Sequence, residues 1–189
     1  MTNSNKWVVA LFLVLLIGVF AAGCDSGQVA TAPPSGGTTA PEKQSAQPAA
    51  DTMRVTVYFA TKDATYLVPE TRIVPRTEHP AQAAVEQLLS APQSAELVRS
   101  LPEGIKLKGL TVKDHIAYVD FNDKLIKNGR GGSTGEILAV GAIVNTLTEF
   151  PDIYKVQILV EGKKVETLYG HLDTSEPLSR SQAIIKKTL

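Results

Sequence analysis

The chain has 189 residues, with 19 Lys or Arg against 19 Asp or Glu and a formal net charge of zero. That balance excludes the basic stripe that nucleic-acid binding requires and a polybasic membrane patch. Hydrophobic residues make up 43% of the chain, as in a globular protein, and the length fits one domain or at most two.

The N-terminus reads as an export signal over residues 1–23. Lys6 and the free amino group supply a short basic region, Trp7 to Phe20 is an almost wholly apolar run, and Ala21-Ala22-Gly23 precedes Cys24. Small residues before a cut site are what a signal peptidase admits. The arrangement resembles a bacterial lipobox, in which the cysteine thiol takes diacylglycerol and becomes the new N-terminus; Ala21 stands where a larger aliphatic is more usual. The alternatives are a plain membrane anchor or simple secretion. The run is short for a span of about 20 residues, and Asp25 follows it rather than a basic stop. Cys24 is the only cysteine in the sequence, so an internal disulfide is impossible and lipidation gives the thiol a role. Two acyl chains make a durable anchor.

From Cys24 to Thr52 the sequence is rich in Ala, Pro, Gly, Ser, Thr and Gln and has no aromatic residue. Such a segment cannot bury enough apolar surface to offset its ordering entropy. It is expected to be a disordered tether with a root-mean-square span of roughly 25–30 Å.

Periodic patterning begins near Met53 and ends near Pro177. Arg54–Phe59 alternates as a half-buried strand, with Val55, Val57 and Phe59 on one face. Two short extended pieces, Tyr66–Val68 and Arg72–Val74, are punctuated by Pro69 and Pro75, which favours edge positions. Pro80 opens a helix, where its missing N–H costs nothing, with Ala81, Ala84, Val85, Leu88 and Leu89 at helical spacing. A second short helix is expected over Ser94–Ser100. A hairpin joins Lys106–Val112 to Ile116–Asn122. Ser133 and Glu136 read as a capping box for a helix carrying Ile137, Val140, Ile143, Val144 and Leu147. A last hairpin pairs Val156–Val160 with Val165–Leu168, and residues 178–189 are expected to fray. The pattern predicts an α+β fold: a single domain over 53–177, with a mostly antiparallel sheet and two main helices packed on one face.

The segments VTVYFATKDATYLVPETRIVPR at 55–76, PAQAAVEQLLSAP at 80–92, LPEGIKLKGLTVKDHIAYVDFND at 101–123, GAIVNTLTEFPDIYKVQILVEGKKV at 141–165 and GHLDTSEPL at 170–178 together resemble the GerMN domain, the sporulation and spore germination family. The resemblance covers essentially the whole patterned region. It implies an extracytoplasmic, often lipid-anchored protein linked to spore germination and to assembly of envelope complexes. It supplies no catalytic residues.

The residues themselves offer little chemistry. His79, His115 and His171 lack the spacing of a metal site. Ser133 is not in a nucleophile elbow, and the glycines at 129–132 match no phosphate-binding motif. No catalytic residue, metal or cofactor is therefore expected. Glu70, Arg72 and His171 form a candidate polar cluster, for partner contact or for tying the Pro-flanked strands to the C-terminal segment. The expected role is a non-enzymatic binding or assembly domain, held at the membrane through lipid on Cys24 and docking on an envelope protein or polymer, with no nucleic-acid partner. The alternative is an envelope hydrolase or small-ligand binder, which would show a deep polar pocket joining His171 to Glu70 or Asp120.

Overall fold

The structure, a computed structural model, describes residues 51–187. The expected signal peptide, Cys24 and nearly all of the expected tether lie outside the described residues. Among the described residues no helix is long and apolar enough to cross a membrane.

Strands β1 (Thr52–Thr61) and β2 (Leu67–Pro75) form an antiparallel hairpin, with Thr52 opposite Pro75 and Ala60 opposite Leu67. β1 therefore begins at the residue where the tether was expected to end. The two short extended pieces expected after it are one continuous strand, and that strand does lie at a sheet edge. β1 is more deeply placed than its alternation suggests, since Val57, Tyr58, Phe59 and Ala60 are all buried and both faces of its second half are covered.

Helix α1 (Pro80–Leu89) starts at its proline and buries Ala84, Val85 and Leu88. The segment expected to be a second helix instead holds β3 (Leu97–Val98), which pairs antiparallel with Ala60 and Thr61. A short apolar pair has no periodicity of its own, and the exposed end of β1 offers it backbone partners. β2, β1 and β3 make a three-stranded antiparallel sheet.

The second hairpin joins β4 (Leu107–Lys113) to β5 (Ile116–Phe121). Its two connecting residues, Asp114 and His115, have φ of 50° and 62°, the left-handed pair that matches strand twist in a two-residue turn. One helical turn, α2 (Lys124–Lys127), leads to α3 (Gly132–Leu147). The chain then enters β6 (Lys155–Val160), which runs parallel to β5 with Ile116 opposite Lys155 and Phe121 opposite Val160. α3 is thus the crossover of a parallel β-α-β unit, and the sheet of β4, β5, β6 and β7 (Lys163–Lys164) is mixed: the expected antiparallel pairing predominates, with β5–β6 the one parallel pair among the named strands. Hairpins dominate the sequence pattern, but the long helix supplies the connection that parallel pairing needs.

α3 does not lie on one outer face. Every residue from Leu138 to Leu147 is buried, and the helix contacts β1 and β2 of one sheet, β6 and the later strand β8 (Leu178–Ser179) of the other, and α1. A helix apolar or small all round belongs at a centre rather than at a surface. Val57, Phe59, Val119, Phe121, Val156 and Ile158 are all almost completely buried in that core, and each large side chain there contributes about 1.5–3 kcal/mol of transfer free energy.

Two expectations at the C-terminal end are corrected. Val165–Leu168 does not extend the last hairpin; β7 is only two residues long, and the amide of Leu168 goes to a helix carboxylate. The segment after Pro177 is not frayed in its described part. β8 (Leu178–Ser179) pairs antiparallel with β6, and Ile185 bridges to Leu67 of β2.

Candidate functional site

The cluster expected from Glu70, Arg72 and His171 divides in two. Arg72 is buried, pairs with Glu70 at 2.6 Å, donates to the carbonyl of Ala91 at 2.7 Å, and stands 5.3 Å above the Phe59 ring. The Glu70 carboxylate accepts the backbone N–H groups of Gln93 and Ser94. Together they fasten the loop after α1 to β2, whereas the expected tie was to the C-terminal segment. Glu70 also lines an open cleft with Thr61, Tyr66 and Leu97.

His171 belongs to a different arrangement. Its side chain is exposed, and its backbone N–H donates to Glu136 at 2.7 Å. Glu136, the fifth residue of α3, is fully buried. One of its oxygens accepts from the Thr167 hydroxyl and from the backbone of Leu168 and Tyr169; the other accepts from His171 and Leu172. Burial alone would raise this carboxyl, but the bonds from Thr167, Tyr169, His171 and Leu168 outweigh it and hold its pKa below the ordinary 4.5. The expected capping box is corrected by the same residue. No side chain caps α3; its N-cap is Gly131 at φ 102°, and Glu136 turns inward to the 167–172 loop. The shallow cleft at His171 is lined by Glu166, Asp173 and Ser175 and contains neither Glu70 nor Asp120.

The other polar candidates also have local partners. Asp120 accepts from the amide of Gly162, and Asp173 accepts from the amide and hydroxyl of Ser175. Glu149 accepts from the Tyr58 hydroxyl at 2.6 Å and pairs with Arg180 at 2.7 Å. Among the described residues, no group of three or more His, Cys, Asp or Glu is placed to hold a metal ion.

One part of the surface exposes apolar and aromatic side chains together. β4 is an edge strand of its sheet. Near its end Val112 is 46% exposed, and Tyr154, in the loop entering β6, is 61% exposed. Tyr154 stacks on His115 with ring centroids 4.4 Å apart and planes 11° from parallel. The stack is fixed from beneath: the His115 carbonyl accepts the amide of Tyr154 at 2.8 Å, and its Nδ1 lies 3.2 Å from the Asp152 carbonyl. Beside it runs a groove of about 310 Å³ in which Leu110, Val112, Phe150 and Ile153 are joined by the polar Glu78, His79, Gln82 and Asp152. An edge strand, an exposed aromatic pair and a groove of mixed apolar and polar lining in succession are features of an interaction surface. Sequence reasoning did not single out Val112 or Tyr154. The signal available was a large aromatic in a loop directly before a strand.

Residues 56–166 match the Germane family, described as sporulation and spore germination. The spore germination protein GerM of Bacillus subtilis (strain 168) is 29% identical over 138 residues, covering 69% of this chain but only 37% of GerM. This chain therefore spans little more than a third of that relative. The tandem GerMN domains of the sporulation protein GerM from Bacillus subtilis superimpose with a TM-score of 0.61 at 26% identity, over 77% of this chain and 51% of that one. The first GerMN domain alone gives 0.59 at 24% identity, over 68% of this chain and 98% of the domain. A Clostridium perfringens protein provisionally named a lipoprotein gives 0.50 at 27% identity, over 68% and 87% of the two chains.

Proposed function

The chain belongs to the sporulation and spore germination family, and from that membership we propose that it is a non-enzymatic docking domain of the cell envelope, carried on the outer side of the membrane by lipid on Cys24. The observation that carries the docking role is the surface at the β4 edge, where Val112 and the His115–Tyr154 stack stand exposed beside a partly apolar groove. The carboxylates that chemistry would require are engaged elsewhere: Glu70 and Glu136 each hold a loop by its backbone N–H groups. A solvent-exposed aromatic pair on a rigid turn offers contact area at low entropic cost, which suits a protein partner. The lipid anchor rests on the Ala21-Ala22-Gly23-Cys24 sequence, and the lipoprotein name of the Clostridium perfringens neighbour supports it.

The test is crosslinking of the full chain in its host membrane, with Cys24→Ala as the unlipidated control. The expected result is a defined envelope protein captured by the wild type, and labelled palmitate that enters the wild type and not Cys24→Ala. Equal labelling of the two chains would overturn the lipid anchor. An anchored chain that captures no protein would overturn the docking role.

A further inference from the structure

The loop between β3 and β4 and the loop between α2 and α3 border a cleft of about 680 Å³, with Arg99, Ser100 and Glu103 from the first and Asn128 and Arg130 from the second. The size is that of a small-ligand site, and the cleft shares no residue with the groove at the β4 edge. Its walls are fixed to each other and to the core. Asn128 donates through Nδ2 to the Glu103 carbonyl at 2.8 Å. Asn122 donates to the Gly104 carbonyl and accepts the Lys106 amide, both at 3.0 Å. Leu101 is buried, and the Tyr169 ring lies so close against Gly129 that a Cβ there would stand 1.9 Å from its Cε1.

The polar groups on these walls are incompletely matched. Arg130 is exposed and has no ion pair among the described residues. Arg99 pairs with Glu103 at 2.5 Å, but the Glu103 side chain is 83% exposed, and so exposed a pair holds weakly. The Ser100 hydroxyl oxygen is closed to solvent and has no hydrogen-bond partner among the described residues. Buried polar atoms are almost always paired, and a turn of χ1 from one staggered position to another offers this hydroxyl to the cleft as a donor. Two permanent cations and a hydroxyl thus line one cleft, with a single exposed carboxylate set against them.

We propose that this cleft binds a phosphate group through Arg99, Arg130 and Ser100. Guanidinium forks from two walls and a hydroxyl offer more donors than the two oxygens of a carboxylate can order, whereas a tetrahedral oxyanion turns an oxygen toward each. The phosphate takes Arg99 from Glu103, whose carboxylate is held by no other side chain among the described residues. Glu103 is therefore a competitor, the anion that occupies Arg99 while the cleft is empty. The group arrives as a free monoester or as a diester within an envelope polymer, and the same three donors recognise either.

The full chain, purified in an uncharged detergent and a phosphate-free buffer, is titrated calorimetrically with inorganic phosphate, glycerol phosphate and the diester glycerophosphoglycerol. The expected result is one site per chain with a Kd of about 0.1–1 mM. Arg130→Ala, an exposed position that leaves the fold intact by circular dichroism, is expected to weaken binding about tenfold or more. Glu103→Gln removes the competing carboxylate and is expected to tighten binding about threefold, which a merely structural Arg99–Glu103 pair would not do. Tighter binding of the diester identifies a polymer as the source, and tighter binding of the monoester a free phosphate. Absence of binding heat with every probe would overturn the site. So would binding that is indifferent to Arg130→Ala, that acetate matches, or that Glu103→Gln weakens.

Discussion

At the scale of single residues, Glu136 shows how a carboxylate can be spent on architecture. It is fully buried, and its two oxygens gather five donors from residues 167–172. Glu136→Gln keeps the shape but replaces one acceptor oxygen with an amide nitrogen, which then faces donors. Orphaned buried N–H groups cost about 1–3 kcal/mol each, so the variant is expected to lose about 3 kcal/mol in urea unfolding. The pH dependence has a definite sign. The folded carboxyl titrates below its ordinary 4.5, so the ionised form stabilises the fold above that pH, and the contribution fades as pH falls below 4.5 and through the depressed value. The wild type should lose stability in that acid window, and Glu136→Gln should show a shallower slope there. Equal slopes in both proteins would exclude Glu136 as the source. The sequence signalled the position but not the role. Ser133 and Glu136 have capping-box spacing, yet that motif states only that the glutamate is near a helix start. Gly131 in a left-handed conformation takes the N-cap instead, and the side chain is free to turn toward a loop that sequence cannot place.

At the scale of elements, the strands and helices with their own periodicity were legible: β1, α1, and the β4–β5 hairpin, whose expected connection over residues 113–115 narrows to Asp114 and His115. What failed was partner choice. Apolar alternation in β5 and β6 says which face is buried but not that they lie side by side in parallel. Leu97 and Val98 fit a helix or a strand equally well. The C-terminal strap, residues 178–187, has neither periodicity nor a dense apolar run, because main-chain bonds to Asn145 and Leu67 hold it. Gly141 carries a prediction at this scale. Alanine in a helix interior is favoured over glycine by about 1 kcal/mol, but here its Cβ would collide with the Ile184 side chain. Gly141→Ala should therefore leave helix content and global stability within about 1 kcal/mol of wild type, while amide exchange at Lys186 and Leu67 rises at least tenfold. Unchanged protection at both amides would mean that Ile184 does not secure the strap.

At the scale of the whole molecule, the arrangement leaves one long helix with nothing to present. α3 is enclosed from Leu138 to Leu147 by two sheets, α1 and the strap, so recognition falls to the sheet edges and the turns between strands. The candidate polar cluster illustrates why a site was hard to read from sequence. Glu70 and Arg72, two apart on one strand, meet as their spacing allows, while His171 is drawn away to Glu136 by a contact 35 residues distant in sequence. The surface at the β4 edge is different: Val112 is nearly half exposed and Tyr154 mostly so, and the backbone of His115, not the Tyr154 ring, holds the turn. Replacing both with serine should change unfolding free energy by no more than about 0.5–1 kcal/mol, as surface substitutions usually do. Interface anchors of this type cost about 1–4 kcal/mol of binding when truncated, so crosslinked envelope partner should fall at least fivefold with the fold intact. If capture is unchanged by the double substitution, docking runs through another face, and the β2 edge, where Ile73 is 70% exposed, is the next surface to alter.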